Sequence, residues 1–90
     1  KIKQVYSLRE GEGEVIEADA IIPSSIVNKK INELKLPNGI KIGAVLKNNK
    51  EVIIPNENLI IEEGDSVILF SLSKMIKKVE KLLSVRFGFE

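Results

Sequence analysis

The 90-residue sequence lacks cysteine, histidine and tryptophan. Without cysteine there are no disulfides and no thiolate chemistry. Without histidine, the commonest metal ligand and the commonest general base are both absent. Aromatic residues make up only 4% of the chain, which leaves no platform on which nucleic acid bases would stack. These absences predict that the chain is not an enzyme and that its core consists of aliphatic side chains.

The sequence also lacks an excess of charge of either sign and a long apolar run. Its 14 basic and 13 acidic residues are interspersed and give a net charge of +1, so no nucleic acid partner is expected. No apolar run approaches the roughly 18 residues of a membrane-spanning helix, so direct membrane insertion is not expected either. The chain starts at Lys1 with strand-like sequence, which we interpret as a domain excised from a longer protein.

The spacing of apolar residues predicts one small α+β domain with the order β-α-β-β-β-α, mostly an antiparallel sheet with helices on one side. Residues 1–13 are interpreted as a linker from a missing upstream domain, residues 14–84 as the domain, and residues 85–90 as a C-terminal tail. The predicted strands are 14–22, 40–47, 51–54 and 66–72, and the predicted helices are 25–34 and 74–83.

Turn residues separate these elements. Asn48-Asn49 predicts a tight hairpin, because asparagine tolerates the left-handed conformation. Glu62-Glu63-Gly64-Asp65 predicts a turn between strands, with a weak cation site as the alternative reading of its carboxylates. The strand at 66–72 is almost continuously apolar, so we expect it to be covered on both faces.

Several polar groups have both a structural and a functional interpretation. Gly11-Glu12-Gly13 precedes a strand and so reads as a turn, because a phosphate loop needs the amides of a helix N-terminus. Ser24, Ser25 and Ser73 precede the predicted helices and are interpreted as caps. The lysines of the second helix are interpreted as its solvated face, with contact to phospholipid or a nucleotide phosphate as the alternative: Lys74, Lys77, Lys78 and Lys81.

One apolar group exceeds what two short helices can cover. It comprises Leu36, Pro37, Ile40 and Ile42, with Ile53 and Pro55 opposite. A surplus apolar surface on a small domain indicates a partner or a ligand groove. We interpret it as a self-association surface; a ligand groove at its edge and ordinary core remain alternatives.

From Glu14 to Leu83 the sequence resembles the TrkA C-terminal domain family, the C-lobe of regulators of potassium conductance. Within that family it looks closest to the last domain of the potassium uptake subunits. Each short motif is weak evidence by itself, but their ordered combination along the chain is specific. The residues that carry it are Leu34, Leu36, Pro37, Gly39, Ile42, Ala44, Val45, Ile53, Pro55, Leu59, Gly64, Asp65 and Val67.

The resemblance implies a non-catalytic regulatory domain that forms a homodimer. It places the parent protein in the cytoplasm, at the inner face of the cell membrane, where it gates a potassium-translocating subunit of the TrkH or KtrB type. NAD(H) or an adenine nucleotide is implied only for the missing N-lobe, so no cofactor is expected in this chain. The alternative is a stand-alone or fused sensor on another cation or anion transporter. A carboxylate-based hydrolase using Glu62 and Asp65 is the third hypothesis.

Some members of the family bind cyclic di-AMP between the two copies. The resemblance implies that the ligand site, or the dimer interface, lies at Leu36, Pro37, Ile40, Lys41, Ile42 and Pro55. Lys35 and Lys41 stand where those members tend to place Asp and Asn, and lysine has the charge to meet a phosphate.

Overall fold

The computed structural model describes residues 2–21, 24–48 and 50–84, which form a five-stranded antiparallel sheet with the order β1-β2-β7-β4-β5 and a separate ribbon, β3-β6. This confirms a small, mostly antiparallel α+β domain. The strands are β1 Ile2–Leu8, β2 Gly13–Asp19, β3 Lys29–Lys30, β4 Ile40–Lys47, β5 Glu51–Ile53, β6 Ile60–Ile61 and β7 Ser66–Leu72. The α-helix in these ranges is α1 Ile76–Leu83, and 3₁₀ turns occupy Arg9–Gly11, Ile31–Leu34 and Ser73–Met75.

The core lies on one face of the sheet. Alternation along each strand points every second side chain to that face, where α1 and the 24–34 segment cover it. We call the opposite side of the sheet the open face. The buried apolar side chains are Ile16, Ala18 and Ala20 from β2 and the residue after it; Ile40, Ile42 and Val45 from β4; Val67 and Leu69 from β7; and Ile26, Val27, Ile61, Val79 and Leu83 from the covering layer.

The predicted helix at 25–34 is wrong, and with it the element order β-α-β-β-β-α. Asn28 has a φ of 64°, and Lys30 is extended with φ −72° and ψ 152°. The amides of Asn28 and Ile31 donate to the carbonyls of Ile61 and Leu59 at 2.6 and 3.0 Å. These partners come from the β6 segment, and the β-branched residues Ile26, Val27 and Ile31 weaken the helical alternative.

Residues 2–8, part of the predicted linker, form the edge strand β1. It pairs with β2, so that Tyr6 lies opposite Val15 and Leu8 opposite Gly13. The sheet therefore has one strand more than the sequence predicted. The side chains of β1 are mostly exposed, which explains why this strand shows no clear apolar alternation. That residues 1–13 link an upstream domain remains a prediction.

The elements β4, β5, β7 and α1 follow the prediction closely, whereas β6 forms where no strand was predicted. β4 and β7 have the expected bounds, the hairpin after Lys47 is present, and β5 ends one residue early. The expectation that β7 is covered on both faces is wrong, since Phe70 and Leu72 are 45% and 46% exposed. The second helix opens with a 3₁₀ turn, and no side chain caps it. The predicted tail at 85–90 lies outside the described residues.

The predicted serine caps have other hydrogen-bond partners. The hydroxyl of Ser25 donates to the Leu82 carbonyl at 2.9 Å, and that of Ser73 donates to the Gly11 carbonyl. Ser24 Oγ accepts from the amide of Ile26 at 3.3 Å. Ser25 and Ser73 therefore tie loops to the ends of the C-terminal helical segment, and do not cap helices as predicted.

Candidate functional site

The open face presents large apolar side chains to solvent. Tyr6, Leu8, Phe70 and Leu72 are all exposed. The strand register brings them together, because Phe70 lies opposite Val15 on one side and Lys41 on the other, and Val15 lies opposite Tyr6. A contiguous apolar patch of this kind indicates an interaction surface, whereas single scattered apolar residues are normal on a protein surface.

Gly43 allows Phe70 to lie across β4. A Cβ atom at Gly43 would overlap Phe70 Cε2 and would lie 3.1 Å from Phe70 Cδ2. The pairing of β4 with β7 also shifts register between Ile42 and Ala44, as expected for a bulge at a glycine. The absence of a side chain at Gly43 thus leaves room for the aromatic ring of Phe70 against the backbone of β4.

Two neighbouring grooves contain all six residues of the predicted site. The first, the Pro55 groove, has a volume of about 470 Å³ and is lined by Leu36, Ile40, Lys41, Ile42 and Pro55. Its polar lining comes from Asn32, Lys35, Asn56 and Glu57. The polar groups are two lysines, two amides and one carboxylate, with a net charge of +1. Together with the apolar floor they suit a ligand that has both a flat apolar part and an anionic part.

The second groove, the Pro37 groove, has a volume of about 540 Å³ and reaches the open face. It shares Leu36, Ile40 and Lys41 with the Pro55 groove and adds Pro37. Leu8, Phe70 and Leu72 of the open face also line it. The predicted site therefore lies at the border of the open face.

The six predicted residues are not equivalent. Ile40 and Ile42 are only 7% and 4% exposed, so their side chains belong to the core, as the ordinary-core alternative allowed. Alternation along β4 turns Lys41 the other way, where it is exposed. Only Leu36, Pro37, Lys41 and Pro55 offer appreciable surface to a partner or a ligand.

The acidic turn at 62–65 forms an ion pair with Lys47. The Asp65 side chain is 1% exposed, and its carboxylate accepts from Lys47 Nζ at 2.5 Å and from the amides of Asn48 and Glu62 at 3.1 and 2.8 Å. Lys47 Nζ also donates to the Ile60 carbonyl at 3.1 Å and to Glu62 at 2.9 Å. The cluster joins the β4–β5 hairpin to the turn before β7.

Burial and hydrogen bonding act in opposite directions on Lys47. Desolvation lowers its pKa, but the hydrogen bonds to Asp65 and Glu62 and the charges of both carboxylates outweigh it, so the pKa rises above 10.5. A lysine ammonium thus occupies the place a cation would take, which favours the turn interpretation. Across the described ranges, no three carboxylate side chains are placed to hold a metal ion.

The other glycine motif is also a turn. Gly11 has a φ of 93°, and the amide of Glu12 donates to the Leu8 carbonyl at 3.0 Å, closing the β1–β2 connection.

The part of the chain that the structure describes contains no helix long and apolar enough to cross a membrane.

Comparison with known proteins identifies relatives for nearly the whole chain. The sequence profile of the TrkA-C domain matches residues 15–84. The chain is 46% identical over 85 residues to the Trk system potassium uptake protein TrkA of Haemophilus influenzae, which covers 90% of this chain and 18% of that protein. It is 42% identical over 92 residues to the protein of the same name from Halomonas elongata, covering 98% and 20%. Against that of Azorhizobium caulinodans it is 38% identical over 89 residues, covering 99% and 19%.

Proposed function

This chain belongs to the TrkA-C domain family, and on that premise we propose that it is a non-catalytic regulatory domain of a Trk-type potassium uptake protein. The chain spans about a fifth of the length of the curated relatives it matches, and those relatives are named as potassium uptake proteins. The parent protein would lie at the inner face of the cell membrane and gate a potassium-translocating subunit of the TrkH or KtrB type. The domain would supply pairing and sensing.

We place the pairing surface on the open face. Its exposed side chains, Tyr6, Phe70 and Leu72, would meet the same side chains of a second copy, because a two-fold interface joins one patch to itself. Removing apolar surface from water is favourable by about 25 cal/mol per Å², and this free energy would drive the pairing. The dimer would bring two Pro37 grooves to the rim of one interface.

We place the sensing site in the grooves at Leu36, Lys41 and Pro55. The observation that carries this proposal is the apolar groove floor flanked by Lys35 and Lys41. A purine-like ring fits such a floor, and a phosphate fits the lysines. Cyclic di-AMP has both parts and is the first compound to test. A ligand held there would shift the gate only by binding one state of the assembly more tightly than the other.

Sedimentation of the 90-residue chain tests the dimer. The double variant Phe70→Ser, Leu72→Ser should be a monomer at concentrations where the native chain is dimeric, with an unchanged circular dichroism spectrum because both side chains are already half exposed. Ile54→Ser is the matched control, since Ile54 is 79% exposed and lies just beyond β5. A native chain that stays monomeric at high concentration contradicts the pairing.

Titration calorimetry tests the sensing site. The native chain should bind one or more compounds of a panel of cyclic dinucleotides and adenine nucleotides, and Lys41→Gln should weaken binding, whereas Lys50→Gln should not. In the full-length parent, Lys41→Gln should also change how that compound affects potassium uptake. No binding across the panel contradicts the sensing role and leaves the dimer standing.

A further inference from the structure

The C-terminal helical segment presents a row of four lysines. Lys74 lies in the 3₁₀ turn before α1, and Lys77, Lys78 and Lys81 follow at helical spacing, all of them exposed. Val79 and Leu83 on the other side of the helix are fully buried in the core. Because the apolar side packs on the core, with Ile76 and Leu82 partly buried at its margins, the lysine row is the surface that this helix offers to a partner.

Positive charge is concentrated on this segment. Residues 73–84 contain four lysines and one glutamate and carry a net charge of +3, whereas the whole chain carries +1, so the remaining residues carry −2. The glutamate, Glu80, is mostly buried and lies 3.8 Å from Lys77 Nζ. It therefore partly offsets the charge of Lys77, and all four lysines still face solvent.

The chemistry of the row indicates what kind of anion it meets. Lysine is a mobile point charge without the planar fork that lets arginine grip a single carboxylate or phosphate in two places. No residue of α1 lines the Pro55 or the Pro37 groove. A row of lysines on a convex helix fits an extended field of negative charge better than it fits one small ion.

We infer that the lysine row docks the domain on the anionic headgroups of a lipid bilayer. The contact is electrostatic and superficial, because the helix has no apolar side left to insert. Each lysine near an anionic membrane surface contributes roughly fivefold to binding. One domain binds weakly and reversibly, and several copies in one assembly bind much more strongly. This property is independent of the pairing and sensing proposed above.

Vesicle co-sedimentation of the 90-residue chain tests the inference. The chain should bind vesicles of equal parts phosphatidylglycerol and phosphatidylcholine at low salt, release them at high salt, and ignore phosphatidylcholine alone. The double variant Lys74→Gln, Lys78→Gln should bind about 25-fold less, because two fivefold contributions are lost. This pair leaves the Lys77–Glu80 contact intact. Lys74→Arg, Lys78→Arg should retain binding.

The control variant Lys29→Gln, Lys50→Gln makes the same charge change on β3 and the hairpin, at exposed positions. It should bind within about twofold of the native chain, because its lysines are outside the row. An equal loss in control and test variants overturns the inference, as does an undiminished affinity of Lys74→Gln, Lys78→Gln. Displacement by soluble glycerol phosphate at matched phosphate concentration, or by an acidic peptide at matched charge, also overturns it in favour of a small-anion or protein partner.

Discussion

The ion pair between Lys47 and Asp65 should contribute strongly to stability. Lys47→Met removes the ammonium and keeps most of the side-chain volume. It leaves the Asp65 carboxylate, 1% exposed, with only the amides of Asn48 and Glu62 to stabilise its charge. Leaving one member of a buried pair without its partner costs about 3–5 kcal/mol. Because Lys47 is itself 19% exposed, solvent screens the pair, and we expect a loss of about 2–3 kcal/mol.

Urea denaturation followed by circular dichroism measures this loss. Lys50→Met is the matched control; its side chain is exposed, and we expect a change below about 0.5 kcal/mol. Asp65→Asn should also destabilise the chain, because both carboxylate oxygens accept hydrogen bonds and the amide NH₂ would face one of these donors. A cost for Lys47→Met no larger than that of the control would refute the argument that this pair holds the hairpin to the turn.

The pH dependence of the same pair is a second readout. The folded-state pKa of Lys47 lies above its unfolded value, so the contribution is complete below about pH 10.4, the ordinary lysine value, and is lost as the pH rises through the folded-state pKa. The difference in unfolding free energy between the native chain and Lys47→Met should therefore shrink in strong alkali. Taking the difference between the two proteins cancels the lysines that they share. A difference that stays constant to high pH would contradict the assignment.

The remaining predictions concern packing and backbone. Gly43→Ala should destabilise the chain by about 1–3 kcal/mol and change the Phe70 environment, because the new methyl group overlaps the ring; aromatic NMR shifts measure the displacement, and Gly13→Ala, with no contact closer than 3.6 Å, is the control. Leu83→Ala should cost about 2–5 kcal/mol by leaving a cavity under α1, measured by thermal unfolding against exposed Lys81→Ala. Gly64→Ala should cost about 1 kcal/mol in the same assay, because Gly64 has a φ of 96°.

The open face adds exposed apolar side chains to the surplus apolar surface that the sequence predicted. The sequence predicted a surplus of apolar residues at 36–42, with Ile53 and Pro55 opposite, and the structure buries two of them, Ile40 and Ile42. Further exposed apolar side chains lie on the other side of the same sheet, at Phe70 and Leu72. A variant such as Ile40→Lys would place a charge in the core and unfold the domain, so it cannot report on pairing. Variants of Phe70 and Leu72 can.

Local sequence was sufficient where chemistry within a few residues decides the conformation. β4 and β7 follow from alternation and β-branched content, and the turns at 48 and 64 follow from asparagine and glycine, which accept positive φ at little cost. The family of the domain was likewise readable from the ordered pattern of residues between β2 and α1, which the profile match confirms.

Tertiary structure decided what local sequence left ambiguous. The segment 25–34 has apolar spacing compatible with a helix, yet its amides find partners in the β6 segment, some 30 residues away along the chain, and the ribbon forms. Which face of β7 is buried depends on where α1 packs, and nothing within β7 specifies that position. The sequence alone thus determined the class of the domain, its family and the strands β2, β4, β5 and β7, but not β1 or the β3–β6 ribbon. Only the fold decided which apolar residues became core and which became surface, because burial depends on contacts between distant segments.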